Sequence, residues 1–234
     1  MKLSLIMCLT SVALCAQNTR KPIFVSPQEI PMASILASPP PMDSWQTRME
    51  LAELHRLQET RTEAEIAHAR ADDAEEDMFV FATVMGSGFS RASLPMTALL
   101  SDHVHSDEGV NVNPAKTAFH RPRPYLFDAS IKPVCKTNTN PIDYAYPGGH
   151  ATTGYLEGLT LAMMVPEKRD EILVRADDYA HSRLVCGVHY PADLAASKSV
   201  AYAMFAVMLQ KAQFQKEFAA AKEETRRGLG LGER

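Results

Sequence analysis

The stretch Ser182 to Asp193 reads Ser-Arg-Leu-Val-Cys-Gly-Val-His-Tyr-Pro-Ala-Asp, and it constrains the chain most because it ends one helix and starts another within a few residues. Tyr179 to Val185 has helical composition. Gly187 suits the left-handed residue that stops a helix, and Pro191 suits the first position of the next. His189 then lies in the connection. With Pro191 at the first helical position, Asp193 is the third, from which a carboxylate reaches back over the helix start toward His189. A carboxylate on one imidazole nitrogen sets the tautomer and aims the other nitrogen outward, as a nucleophilic or basic His requires. Arg183, on the preceding helix, brings a permanent positive charge to the same place. Taken alone, the stretch fits a capped helix start with a surface His and a solvated Arg equally well.

No segment shows a sustained period-two alternation, so the expected fold is all-α, a single-domain helical bundle. Ser44 can cap a helix over Trp45 to Ala71, with Leu51, Leu54 and Leu57 on one buried face. Further helices are expected over Ala74 to Met85, Leu94 to Val104, Gly154 to Val165, Glu167 to Cys186 and Pro191 to Gln213. The plan is a leader over 1–16, a Pro- and Ser-rich extended lead-in over 17–43, a helical domain over 44–213 and a charged tail over 214–234 that is helical to about Arg226.

With 234 residues and 46% hydrophobic composition, the chain is long enough for one real core. The net charge of −4 is mild and mixed, which excludes a nucleic-acid binder with a broad basic face. Lys2 followed by the apolar run Leu3 to Ala16 and a polar stretch has the layout of a secretory leader, cleaved after Ala13, Cys15 or Ala16. An uncleaved anchor is the alternative. Neither Cys8 nor Cys15 follows a small residue as a lipid-modified Cys would, and no other apolar run is long enough for a stable membrane span. Cys135 and Cys186 remain after cleavage, as a disulfide or as two separate thiols.

Two more clusters carry chemistry. Lys116 to Pro124 reads Lys-Thr-Ala-Phe-His-Arg-Pro-Arg-Pro, so a helix bearing Lys116 ends near His120 and runs into a stiff segment presenting Arg121 and Arg123. Tyr146 to Thr153 places Gly148 and Gly149 before a buried helix, with His150 in its first turn; free N–H groups at such a start form an anion cradle. His103 and His105 sit in a polar stretch over Ser101 to Asn113, read as a solvated loop. A metal site there is the lesser reading, since no further His or Cys follows at ligand spacing.

Together, Lys116 with Arg123-Pro124, Pro147-x-Gly149-His150, and Ser182-Arg183 with His189 and Asp193 resemble the three-part signature of the type 2 phosphatidic-acid phosphatase and vanadium haloperoxidase superfamily. The leader, the size and the form of the first motif are most similar to the bacterial class A non-specific acid phosphatases. The resemblance covers about Lys116 to Asp193. It implies a periplasmic or secreted acid phosphatase that hydrolyses phosphate monoesters, such as nucleotides, sugar phosphates and aryl phosphates, through a phosphohistidine. In that scheme His189 is the nucleophile, Asp193 orients it and His150 is the general acid and base. Lys116, Arg123, Arg183 and the N–H groups of Gly148 and Gly149 hold the phosphate, with Arg121 in support. No metal or cofactor is required, and a homo-oligomer is neither required nor excluded. The family usually has Ser where this chain has Gly148, so Gly148→Ser is expected to preserve or raise turnover. The alternatives are a vanadate-dependent haloperoxidase and a phosphate-binding protein with catalysis weakened by Gly148.

Overall fold

The computed structural model describes residues 21–138, 140 and 142–232, and the leader expected over 1–16 lies outside the described residues. The fold is all-α; no strand occurs among the described residues. The elements in order are α1 (Met32–Ile35), α2 (Trp45–Thr60), α3 (Glu63–Ala74), α4 (Ala82–Met85), α5 (Pro95–Phe119), α6 (Pro124–Phe127), α7 (Gly149–Met164), α8 (Arg169–Val185), α9 (Pro191–Met208) and α10 (Ala212–Gly228).

Helix α7 is the centre because its sequence leaves it no polar face: Ala151, Leu156, Leu161 and Met164 are all buried, as is each side chain of Thr152, Thr153 and Thr160. Apolar residues on every side of a helix require it to be enclosed, even with Glu157 among the buried side chains, and α8, α9 and α5 enclose this one. Small residues set how closely they approach. A methyl group on Gly154 would overlap the Tyr179 ring of α8, and one on Gly158 would lie 3.0 Å from Ala176 Cβ.

Several expected boundaries are corrected. The single helix over Trp45 to Ala71 is two, because Arg61 leaves helical geometry and sends its guanidinium to the carbonyls of Val185 and Lys132. Thr62 then starts α3 with a reciprocal cap to Glu65. The helix expected over Ala74 to Met85 is a 3₁₀ turn, Met78–Phe81, followed by the short α4; the Asp77 carboxylate caps that turn at the Phe79 N–H.

The polar stretch Ser101 to Asn113 is no loop. It lies within α5, 25 residues long, whose polar side chains are buried as partners for other segments. Asp107 accepts N–H bonds from Ile23, Phe24 and Val25, and Asn111 donates to the Val25 carbonyl, so the lead-in is tied down along α5. His103 pairs with Glu217 at 2.8 Å. His105, two residues on, points elsewhere, since such residues lie about 200° apart around a helix.

The helix expected to about Arg226 in the charged tail is α10, which runs to Gly228 and buries Phe214, Ala221, Thr225 and Arg226 against the body. Glu224 of α10 accepts the N–H groups of Met96 and Thr97, placing a carboxylate at the positive start of α5. Cys135 and Cys186 form a disulfide across 51 residues, which settles the pairing left open by the sequence.

We expect Gly154→Ala to destabilise the fold by about 2 kcal/mol, because the added methyl forces the α7–α8 pair apart. Urea unfolding reads this as a lower midpoint, whereas an unchanged midpoint would contradict the tight crossing.

Candidate active site

The three sequence clusters meet at one end of the bundle around a cavity of about 910 Å³. Six of the eight expected residues line it: Lys116 from the end of α5, Arg123 from the segment after it, Gly149 and His150 from the start of α7, Arg183 from the end of α8, and His189. Gly148 and Asp193 lie behind its wall. Local rules place the His189 connection. Gly187 adopts φ +74°, and the Val188 N–H bonds to the Arg183 carbonyl, closing α8 in a left-handed turn. Pro191 opens α9, and Asp193 at the third position accepts the Tyr190 N–H at 2.9 Å.

His189 is 2% exposed and held at both nitrogens. Its Nδ1 is 3.1 Å from Asp193 Oδ2, and its Nε2 is 2.6 Å from an Arg123 guanidinium nitrogen. While Asp193 is ionised its carboxylate can only accept, and Arg123 can only donate, so the proton sits on Nδ1 and the lone pair on Nε2. Burial pushes the imidazole well below its usual range, and Arg123, Lys116 and Arg183 push it further. Both effects favour the neutral ring.

Behind Asp193 runs a buried string of charge. Burial raises Asp193 to about 6, against the pull of Arg121. Arg121 donates to Asp193 Oδ1 at 2.7 Å and to Glu50 Oε2 at 2.5 Å, and its guanidinium lies 3.9 Å from the centre of the Tyr190 ring. Glu50 in turn accepts the Ala192 N–H at 2.8 Å. Arg121 thus supports the site without lining the cavity. Glu50 carries no signal in the sequence, where it is one of many Glu residues on α2.

Internal carboxylates also meet the cations that line the cavity. Arg123 pairs with Asp143 at 2.9 Å, and Arg183 pairs with Asp73 at 2.6 Å. Lys116 lines the cavity half-buried; desolvation and then Arg123 lower its affinity for a proton, while Glu108 on the same helix opposes them. His150 Nε2 lies 3.1 Å from Glu76 Oε1 and 3.4 Å from the Asp73 carbonyl. Asp73, Glu76 and Asp143 went unnoticed in the sequence because their partners are remote in the chain.

Gly148 needs a correction. Its N–H donates to Ser197 Oγ at 2.9 Å and is not available to an anion. The same hydroxyl lies 2.8 Å from the Gly148 carbonyl and 2.7 Å from that of Asp193, which ties the glycine turn to α9. A Cβ on Gly148 would sit 3.2 Å from His189 Cε1 and 3.2 Å from Ser197 Oγ. Gly149 faces the cavity, and a Cβ there would sit 3.1 Å from Glu108 Oε1.

Residues 93–217 match the sequence profile described as the PAP2 superfamily. The non-specific acid phosphatase of Providencia stuartii is 30% identical over 169 residues, 66% of this chain and 66% of that protein. The non-specific acid phosphatase of Salmonella typhi is 30% identical over 147 residues, 62% of this chain and 59% of that one. The chain thus spans about two thirds or less of the length of these curated relatives. Among solved structures, a bacterial vanadium-dependent iodoperoxidase gives a TM-score of 0.54 at 21% identity, covering 75% of this chain and 51% of that one. A transmembrane PAP2-type phosphatidylglycerolphosphate phosphatase from Bacillus subtilis gives 0.52 at 15% identity, covering 76% and 89%. At these identities the two structures show the fold alone.

The glycine geometry reverses the expectation from sequence. Gly148→Ser should press on the His189 ring, which Asp193 and Arg123 hold in place, and lower phosphatase kcat/KM by roughly tenfold. Gly148→Ser with Ser197→Ala should recover most of the loss, because the new hydroxyl takes the space of the old. Full activity in the single variant would show that the ring has room to move.

Proposed function

The chain belongs to the PAP2 superfamily, and we propose that it is an exported acid phosphatase that cleaves phosphate monoesters through a phosphohistidine. The observation that carries this reading is the His189 ring, with Nδ1 on Asp193 and the Nε2 lone pair beside Arg123 among the cations of the cavity. Among the described residues no single helix is long and apolar enough to cross a membrane. Export is supported by the leader-like residues 1–16 and by the disulfide, which needs an oxidising compartment to persist.

The chemistry follows from what each group can do. A phosphoryl group draws Arg123 off Nε2 and onto its oxygens, where Lys116 and Arg183 share the charge. The Nε2 lone pair attacks phosphorus as the bond to the leaving oxygen breaks, and His150 gives that oxygen a proton. His189 then carries the phosphoryl group, and Asp193 balances the positive charge on its ring. In the second half His150 takes a proton from water, the resulting hydroxide attacks phosphorus, and the P–N bond breaks to release inorganic phosphate. The downward shift of His189 favours the neutral ring, which is the nucleophilic form. The cavity exceeds a phosphate in size and mixes both signs of charge along its wall, which suits a broad range of esters. No step requires a metal.

His189→Ala should lower turnover of p-nitrophenyl phosphate by about a thousandfold or more with circular dichroism unchanged. Residual turnover near that of the parent would remove His189 from the nucleophile role. Orthovanadate should inhibit the parent enzyme and chelators should leave it active. Vanadate-dependent oxidation of iodide would favour a haloperoxidase instead, and loss of phosphatase activity on chelation would contradict the metal-free scheme.

A further inference from the structure

A general acid must hold its proton until the leaving oxygen takes it, and the surroundings of His150 work against that. Burial and then Arg183 push His150 down to about 3, and Lys116 adds to the effect. Five charged or titratable groups surround the ring: Asp73 at the end of α3, Glu76 just after it, Lys116 from α5, Arg183 from α8, and His189 beyond α8. Two of them are carboxylates, and they are not equally placed. Asp73 Oδ1 is 3.9 Å from His150 Nε2 and is already bonded to Arg183 at 2.6 Å. Its Oδ2 accepts the Lys136 N–H at 2.9 Å. The Asp73 carbonyl lies 3.4 Å from Nε2 as its hydrogen-bond partner, but it is neutral; Glu76 Oε1 is the nearer carboxylate, at an ion-pair distance of 3.1 Å, and Glu76 and His150 line the same cavity.

We infer that Glu76 is the positioning residue for His150, its carboxylate holding the Nε2 proton and the ring toward the cavity until a leaving group arrives. This rests on the general-acid role proposed for His150. Glu76 touches the imidazole and not phosphorus. When the ester oxygen approaches, Nε2 exchanges its ion-pair contact with Glu76 for a hydrogen bond to that oxygen, and the proton transfers from Nε2 to it as the P–O bond breaks. The ring is left neutral and Glu76 stays ionised. Hydrolysis of the phosphoenzyme returns a proton to Nε2, and the contact with Glu76 reforms.

The test compares the parent with Glu76→Gln and Glu76→Asp on two esters across pH. Removing the carboxylate makes protonated His150 less favourable and lowers its pKa in the complex. Activity that needs the proton is lost as pH rises through that value, so the alkaline limb of kcat, which reports the complex, should move down by about one pH unit in Glu76→Gln. Glycerol 2-phosphate leaves as a poor alkoxide and should lose roughly tenfold in kcat/KM, whereas p-nitrophenyl phosphate, which needs little proton transfer, should lose about twofold at most. Glu76→Asp should regain part of both effects.

Limb position and the ratio between esters are read within one preparation, so a smaller folded fraction changes neither. An unmoved limb, an equal loss on both esters, or an Asp variant no better than Gln would overturn the role. A parent protein that turns over neither ester would overturn the phosphatase reading itself.

Discussion

One carboxylate, that of Asp193, joins the fold to the chemistry. It accepts the N–H of Tyr190, the residue just before α9, the Nδ1 proton of His189 and the guanidinium of Arg121. Burying a charge is costly unless every lone pair finds a donor, and here Arg121 passes the requirement on to Glu50, which closes the string on the Ala192 N–H. Four side chains from three parts of the chain must therefore be correct together. The result is a neutral imidazole whose free nitrogen can point only one way.

The cavity achieves a second balance. Burial first, and then the cations packed around them, drain protons from Lys116 and both histidines. Asp143 and Asp73 hold the Arg123 and Arg183 side chains in place of an oxyanion. A phosphoryl group then exchanges partners with these arginines and does not have to assemble them, which lowers the entropy lost on binding.

What the sequence could show followed the range of each interaction. Gly187, Pro191 and Asp193 act within a single turn, so the break between α8 and α9 was legible from spacing alone, while the aim of His189 stayed even with a surface His until the other two clusters were added. The meeting of Lys116, Arg123, His150 and Arg183 was legible only through the combined motif pattern, since nothing local links them. Glu50, Asp73, Asp143 and Glu76 were invisible, because a buried Glu and a solvated one look alike until the partner is in view.

The same reason explains the error over Ser101 to Asn113. Its polar residues resemble a loop, yet Asp107 and Asn111 are buried to satisfy the backbone of residues 23–25. Gly148 shows the converse case: a residue read as a lost hydroxyl is a gap that the Ser197 hydroxyl and the His189 ring close around.

The central claim is that His189 takes the phosphoryl group itself. Mixing the enzyme with a monoester, quenching in alkali to preserve a P–N bond and mapping the modified peptide by mass spectrometry tests it directly. The account predicts one phosphoryl group on His189, present during turnover and cleared once substrate is spent. A phosphoryl group on another residue, or active turnover with no covalent phosphate at any quench time, would contradict it.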